Sequence, residues 1–434
     1  MAELAAHLVD GVLGGLPVRQ WVLTLPYRLR YALAWDHRLC RAVLAVFVRA
    51  VLGFERRRAA RRGMPGGAGG AVTAIQRFGS ALNTNVHFHT LVAQGVFVED
   101  AEGRRRFVPL PAPTDQEITR LLAAVRRRIV QLVARDGIDL EEPSGELQAA
   151  DERLFECPLY AEIQGAAVAG RVVTGPRAGR PVQRLGRDRY ATEVTSTGPL
   201  HAHLDGFDLH AAVAVPAGDR ARLEHLCRYV LRPPLAQERL ELTPDGAVVL
   251  RLRRPWSDGT RAIRFEPSEF LEKLASMIPK PRINLLVYHG VFAPHAHARK
   301  DAVRRAREGA GQVAVAAPRE AGGDTPGVVD AAVPATQRDA GVAATPRAPP
   351  PRAGYIRRKH YAWANLLERT FAIDVLACPD CGGRLRFVAT IDDRAVVEKI
   401  LRHLGLPVDP PVAAPAHHPP WLPGFETIAE WLPA

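Results

Sequence analysis

The chain has 434 residues, of which 47% are hydrophobic, so it is long enough to form a large folded domain with smaller attachments. Lys and Arg number 58 against 46 Asp and Glu, which gives a formal net charge of +12. This excess favours a polyanionic partner, although an arginine-rich composition can also reflect a biased genome. The five cysteines do not have the spacing of a disulfide framework, so a reducing compartment is favoured over secretion.

No segment is predicted to be exported or to enter a membrane. The chain begins at Met1 with an amphipathic stretch rather than with a cleavable signal. Its longest apolar run, Ala42 to Phe54, is interrupted by Arg49 and is too short to span a bilayer. We therefore expect a cytoplasmic protein without membrane contact.

Residues 1–298 have the mixed strand and helix periodicity of an α+β domain. Within them, Trp21–Leu25 reads as a strand that Pro26 ends, and the stretch from Arg28 to Arg62 has apolar residues at helical spacing. A glycine-rich loop follows this helix. The sequence thus predicts one large domain of strands and helices.

The last third of the chain has a different composition. Residues 299–353 are rich in Ala, Pro and Arg without periodicity, which predicts a disordered linker. Order is expected to resume in residues 354–410 as a small C-terminal module, and residues 411–434 form a proline-rich tail. We find no internal repeat.

The alternating run from Asn85 to Val92 predicts a strand that carries two histidines. With a period of two, His87 and His89 share one face of this strand, while Val86 and Phe88 share the other. Two imidazoles converging in this way can chelate a divalent cation. The alternative is a pair of solvent-facing histidines on a half-exposed strand.

Residues 219–234 predict a helix that begins at an Asp219 cap and ends before Pro233. Tyr229 lies near its end, flanked by Arg228 and Arg232. A tyrosine in this setting could attack a phosphodiester while arginines neutralise the charge on the phosphate. The alternative is an ordinary tyrosine at the edge of the core. The buried stripe of the helix is predicted to be Leu223, Leu226 and Val230.

Five short motifs occur in a fixed order between Trp21 and Val291. They are Trp21–Pro26, Phe78–Asn83 leading into the histidine pair, Leu204–His210, Arg228–Pro234 and Tyr288–Val291. Together they resemble the insertion-sequence 91 family of rolling-circle transposases. That family belongs to the histidine-hydrophobic-histidine (HUH) class, which also includes relaxases and plasmid replication initiators.

The resemblance implies an HUH-endonuclease-type antiparallel sheet, similar to a ferredoxin or RRM fold, flanked by helices. It also implies that His87 and His89 hold Mg2+ or Mn2+, and that Tyr229 is the nucleophile that forms a 5′-phosphotyrosine. The expected substrate is single-stranded or hairpin DNA at the element ends. Some members carry a second tyrosine one helical turn earlier; here that position is His225, so the chain resembles the single-tyrosine type. The third metal ligand and the oligomeric state are not indicated.

Two cysteines near the C-terminus have the spacing of half a zinc ribbon. Cys378 and Cys381 are followed by two glycines, so their thiolates could supply two ligands to Zn2+. The alternative is a reduced structural turn. The family also usually begins with a cysteine-rich zinc-binding segment, which we expect to be lacking here through truncation, a misassigned start or decay of the gene.

Four arginine runs could contact DNA, and we expect about half of them to do so. The four runs are Arg56–Arg58, Arg104–Arg106, Arg126–Arg128 and Arg251–Arg254.

Two other functions compete with the transposase hypothesis. One is a relaxase or replication-initiator-like nickase, and the other is an inactive, truncated DNA-binding remnant. Tyr288, a second tyrosine within the part of the chain that resembles the family, is interpreted as structural.

Overall fold

The computed structural model describes residues 1–138, 140, 158–186, 198–279, 283–304, 362–379, 381–386 and 391–409. Antiparallel sheets flanked by helices confirm the predicted α+β class. The helices of these residues are α1 (Ala2–Leu8), α2 (Tyr27–Trp35), α3 (His37–Ala60), α4 (Asp115–Ala134), α5 (Pro158–Val168), α6 (Arg220–Val230), α7 (Pro267–Met277), α8 (Trp363–Phe371) and α9 (Arg394–His403).

The strands of the described residues form three sheets. They are β1 (Val18–Thr24), β2 (Gly70–Phe78), β3 (Thr84–Ala93), β4 (Gly95–Glu99), β5 (Arg105–Pro109), β6 (Gln183–Leu185), β7 (His201–Leu204), β8 (Phe207–His210), β9 (Ala214–Val215), β10 (Leu240–Leu242), β11 (Val248–Arg251), β12 (Ala262–Phe265) and β13 (Leu286–Gly290).

The main sheet has the strand order β13-β2-β3-β1-β8-β7, with β9 also paired to β1. All of these pairings are antiparallel. In such a sheet, directly opposite residues project to the same face. Gln76 of β2 and Thr24 of β1 both lie opposite His87, so their side chains share its face.

The two faces of the main sheet are covered by different helices. Trp21, Leu23 and Phe88 project towards a core that includes residues of α2, α3 and α4. Val72 and Leu91 project to the opposite face, where they join a core with residues of α1 and α6. Because side chains alternate along a strand, His87 and His89 fall on the face that α6 covers.

The prediction of one continuous helix from Arg28 to Arg62 is wrong, because the helix is interrupted within that range. The chain forms α2 and α3, which are separated at Asp36. Asp36 has an extended backbone, and its carboxylate accepts hydrogen bonds from the backbone N–H groups of Arg38 and Leu39. A side-chain cap therefore starts a new helix, although the apolar periodicity continues across the break.

The predicted helix over residues 219–234 is confirmed as α6. The Asp219 carboxylate accepts a hydrogen bond from the Arg222 N–H and caps the helix, as expected. The predicted stripe is buried, which fixes the rotation of the helix about its axis. Its members are Leu223, Leu226 and Val230.

A second sheet, of order β10-β11-β12-β6, packs with α7 around its own apolar core. This core includes Leu250, Ile263 and Phe265, and Leu82 from the loop between β2 and β3 inserts into it. The second sheet is thereby attached to the strand connection that leads directly into the histidine pair.

The predicted C-terminal regions are described only in part. Residues 299–304, at the start of the predicted linker, are helical. The rest of that linker and the predicted tail over residues 411–434 lie outside the described residues. Within the predicted C-terminal module, α8 and α9 are described. Across the described part of the chain, no helix combines the length and apolar character needed to cross a bilayer.

One arginine of the predicted DNA-contacting runs is a core residue. The side chain of Arg58 is 2% exposed and forms a 3.2 Å ion pair with Glu55, which is also buried. The Arg58 guanidinium further donates to the carbonyl oxygens of Pro111 and Ala112. Arg58 therefore joins α3 to the segment before α4 and does not face a nucleic acid.

Replacing Arg58 by methionine should lower the free energy of unfolding by about 3–5 kcal/mol, because the Glu55 carboxylate would stay buried without its cation. Burial already raises the pKa of Glu55, and Arg58 opposes that shift. Urea unfolding followed by circular dichroism measures the loss. The exposed Arg57 of the same run is the matched control, and Arg57→Met should change stability by less than about 0.5 kcal/mol. Equal effects of the two variants would contradict this role.

Candidate active site

His87 and His89 lie side by side on β3, with their ring centroids 4.9 Å apart. They share a face of the strand, as alternation predicts. Neither faces open solvent: His89 is 1% exposed and His87 is half-buried. The alternative of two solvent-facing histidines therefore does not describe their surroundings.

The hydrogen bonds of His87 leave one ring nitrogen available. Its Nδ1 lies 2.8 Å from the carbonyl oxygen of Asn85. Because a carbonyl only accepts, Nδ1 carries the proton and donates it. The Nε2 atom of the neutral ring then has a free lone pair, which is the form in which histidine binds a metal.

His89 is oriented by Gln20 of β1, whose side-chain amide lies 2.8 Å from His89 Nδ1. Gln20 Oε1 and His89 Nε2 are both buried without a hydrogen-bond partner. The two ends of an amide have the same shape, so a half-turn places Oε1 against an Nδ1–H donor. His89 Nε2 is then a buried lone pair on the same face as His87.

Burial keeps both imidazoles neutral at physiological pH. It lowers the pKa of His87 to about 4, and the positive charges of Arg232 and Arg30 act in the same direction. Burial also lowers the pKa of His89 well below its usual value, with further contributions from His87 and Arg232. Both rings therefore keep a lone pair available where a charged imidazolium would have none.

Helix α6 brings Tyr229 to this histidine pair. The ring centroids of Tyr229 and His89 are 6.0 Å apart, with an angle of 81° between the ring planes. Gln76 of β2 donates a 2.8 Å hydrogen bond to the carbonyl oxygen of Val230 and so ties the end of the helix to the sheet. His87 and His89 come from one motif and Tyr229 from another, and the structure brings their three side chains together.

Positive charge surrounds the Tyr229 ring. The Arg232 guanidinium carbon lies 4.5 Å from the ring centroid. Burial raises the pKa of the Tyr229 phenol, whereas Arg232 and Arg253 lower it. Arg253 belongs to the exposed loop after β11, so two chain segments bring cations to the phenol.

Arg228, the other predicted DNA contact of α6, is engaged within the fold. It donates a 2.6 Å hydrogen bond to Glu224 and another to the carbonyl oxygen of Arg369 in α8. Arg369 in turn pairs with Asp10 and Glu224 at 2.8 and 2.5 Å. The side chain of Arg228 thus joins α6 to α8, whereas Arg232 lies at the phenol.

Two residues of this site were missed by sequence reasoning, Gln20 and Gln76, whereas Arg253 belongs to the predicted run Arg251–Arg254. Gln76 lies directly opposite His87, and its Oε1 atom is buried without a hydrogen-bond partner. A polar residue within a strand-like segment was the available signal. Its proximity to His87 depends on the pairing of β2 with β3, which alternation alone does not specify.

Two further motifs that carry the family resemblance form a turn and an edge strand of the main sheet. In the β7–β8 hairpin, Asp205 and Gly206 have φ angles of 49° and 76°. Positive φ at both central residues is the geometry that favours Asp-Gly in a two-residue hairpin turn. Tyr288 lies on the edge strand β13, opposite Val72.

The two C-terminal cysteines lie on a tight turn. The Cys378 N–H donates to the Gly383 carbonyl at 2.8 Å, and the Gly382 N–H donates to the Cys378 carbonyl at 2.9 Å. Cys378 is half-buried and Cys381 is exposed. Among the residues that the structure describes, no group of three or more Cys, His, Asp or Glu could hold a metal. Zinc at this turn stays a prediction.

The α+β fold thus brings a histidine pair on its main sheet together with a helical tyrosine and Arg232. The family model described as "Putative transposase" matches residues 70–300, which is more than half of the chain. The chain therefore belongs to this transposase family. No curated protein and no solved structure matches it.

Proposed function

We propose that the chain is a rolling-circle transposase of the HUH class, of the single-tyrosine insertion-sequence 91 type. It nicks and rejoins single-stranded or hairpin DNA at the ends of its element. The observation that carries this proposal is the position of Tyr229, whose ring lies 6.0 Å from that of His89 and faces the His87 and His89 pair. These residues come from two separate motifs about 140 positions apart in the chain.

The donor atoms present fit a divalent cation. His87 and His89 offer Nε2 lone pairs, and His89 Nε2 is a buried atom without a protein partner. Gln76 Oε1 is also buried without a hydrogen-bond partner, and we propose it as the third ligand. Two nitrogens and one oxygen suit Mn2+ better than Mg2+, which prefers oxygen alone. When bound, such an ion would polarise the scissile phosphate as a Lewis acid.

Tyr229 is the nucleophile of the proposed reaction. Its phenolic oxygen attacks the phosphorus, a bond forms between them, and the bond to the 3′ oxygen breaks. The phenol proton is lost to solvent and the leaving 3′ oxygen gains one, so protons balance. The products are a 5′-phosphotyrosine and a free 3′-hydroxyl. Rejoining reverses these steps without ATP because the phosphotyrosine bond retains the energy of the original ester.

Arg232 and Arg253 supply the positive charge that this attack requires. Neither forms an ion pair with a carboxylate among the described residues, whereas Arg228 and Arg251, which lie close to them in sequence, are paired with Glu224 and Glu241. Both lie close enough to lower the pKa of the Tyr229 phenol. An unpaired guanidinium can contact a phosphate without first breaking an internal salt bridge.

The proposed activity is tested by incubating the purified chain with labelled single-stranded DNA from the element ends and Mn2+. Denaturing electrophoresis should show a retarded band that protease converts to a short peptide–DNA adduct, and EDTA should prevent its formation. DNA binding without an adduct would support the inactive remnant instead. Adduct formation on a plasmid transfer or replication origin, and none on element ends, would support a relaxase or replication initiator.

The role of Gln76 can be separated from that of the histidines by two substitutions. Gln76→Leu should weaken Mn2+ binding by at least about 10-fold, because one ligand is lost. Gln76→Glu should preserve or strengthen binding, because a carboxylate oxygen replaces the amide oxygen. Calorimetric titration with Mn2+ measures both affinities. Equal affinities of the leucine variant and the wild-type chain would rule out Gln76 as a ligand.

A further inference from the structure

A cleft of about 540 Å³ lies between the main sheet and the second sheet. Its lining includes Asn85 and Arg30 on the side of the main sheet, and Trp256 and Arg184 on the side of the second sheet. Asn85 is two residues from His87 and accepts its hydrogen bond, and Arg30 is close enough to lower the His87 pKa. The cleft therefore opens next to the histidine pair.

The part of the cleft near His87 includes one buried hydrogen-bonding atom without a protein partner. Asn85 Oδ1 is buried and has no hydrogen-bond partner. Asn83, from the loop before β3, adds a second amide to the lining. Side-chain amides both donate and accept hydrogen bonds, as the edges of nucleobases do. An unsatisfied buried amide oxygen is costly unless a ligand satisfies it.

The side of the cleft that the second sheet forms has an aromatic ring held in a fixed orientation. The Trp256 Nε1–H donates a 3.2 Å hydrogen bond to Ser80 Oγ. The Arg184 guanidinium carbon lies 4.9 Å from the Trp256 ring centroid, and Arg184 is itself held by Asp258 at 3.1 Å. The guanidinium thus lies over one face of the indole and presents its own outer face, and planar guanidinium and aromatic groups are the platforms on which an unpaired base stacks.

The loop between these two sides of the cleft is shaped for close packing. A Cβ on Gly79 would lie 2.3 Å from Asn83 Oδ1, so only glycine lets that amide lie where it does. Leu82 has a φ of 57°, an unfavourable backbone for leucine, and it is held there by burial in the core of the second sheet. Backbone strain of this kind is retained mainly at functional sites.

We propose that this cleft binds one unpaired nucleobase of the single-stranded DNA, next to the phosphate that Tyr229 attacks. The base stacks at Trp256 and Arg184, and Asn83 and Asn85 contact its polar edge. A base in a duplex is paired and stacked, so its edge and faces are not free to enter the cleft. The inference rests on the proposed function and adds to it a contact that distinguishes bases from backbone.

Binding, rather than cleavage, tests this site. Fluorescence anisotropy in EDTA should show that the full chain binds a labelled oligothymidylate of about 12 nucleotides more tightly than an abasic oligonucleotide of equal length. Trp256→Ala should weaken oligothymidylate binding by at least about five-fold, since stacking on one aromatic residue contributes about that much or more. Asn83→Ala should weaken it by about five-fold, since a hydrogen bond to the base edge is lost. Abasic binding should change by less than about two-fold, because phosphate contacts remain.

Trp363→Ala is the matched control, since Trp363 is 52% exposed on α8 and does not line the cleft. It should leave both affinities unchanged. Asn83→Ala removes only the amide of a half-buried loop side chain, so it tests the cleft even where Trp256→Ala unfolds the second sheet. The proposal is overturned if the wild-type chain binds both oligonucleotides equally, or if Asn83→Ala weakens both alike. Failure of the proposed function has a different readout, which is the absence of a covalent adduct.

Discussion

Replacing Tyr229 by phenylalanine should abolish the covalent protein–DNA adduct, with a loss of rate on the order of 10⁴-fold or more. The substitution removes only the phenolic oxygen that would form the bond to phosphorus. The aromatic ring, its contact with His89 and its packing under Arg232 all remain. Quantitation of the adduct by denaturing electrophoresis at several times gives the rate.

The same variant should bind single-stranded DNA with wild-type affinity, because the arginines at the site are unchanged. Tyr288→Phe is the matched control: Tyr288 lies on the edge strand β13, and its removal should leave adduct formation intact. An adduct that persists in Tyr229→Phe and disappears in Tyr288→Phe would show that the nucleophile has been assigned to the wrong tyrosine.

His87→Ala and His89→Ala should each reduce Mn2+-dependent cleavage by about 10³-fold. Lewis-acid stabilisation of the charge on a phosphoryl oxygen contributes several kcal/mol, and each factor of ten corresponds to 1.36 kcal/mol. Each substitution removes one of the two Nε2 donors. Because both rings are neutral at pH 7, the loss cannot be attributed to a change in the charge of the ring.

Electron paramagnetic resonance of Mn2+ separates a ligand from a merely structural histidine. In either alanine variant the free six-line Mn2+ signal should persist at concentrations where the wild-type chain suppresses it. His203→Ala is the control, because His203 lies on the same sheet with a side chain that is 57% exposed. Full Mn2+ binding by His87→Ala, together with lost cleavage, would mean that this histidine serves the reaction in another way.

Neighbouring arginines of one predicted DNA-contacting run have different surroundings in the fold. Arg58 is buried, Arg126 pairs with Asp205, and Arg251 pairs with Glu241. Arg253, in the same run as Arg251, lies close enough to Tyr229 to lower its pKa. Adjacent arginines in sequence therefore have different partners, and the partners come from distant parts of the chain.

Local patterns were sufficient for the elements that carry the chemistry. Alternation over residues 85–92 predicted that the two histidines share a face, because a strand has a period of two. Asp219 and Pro233 delimited α6, because a carboxylate can cap a helix start and a proline cannot continue a helix.

Local sequence patterns were thus sufficient to predict the strand that carries the histidine pair, the helix that carries the tyrosine, and the α+β class. Only the tertiary structure decided that α6 lies across the same sheet face as His87 and His89, that Gln76 is opposite His87, and that Arg58 is buried. The physical reason is the separation along the chain of the residues that interact. Periodicity and caps act over a few neighbouring residues, whereas strand pairing and helix docking depend on apolar surfaces that meet only after the whole chain has folded.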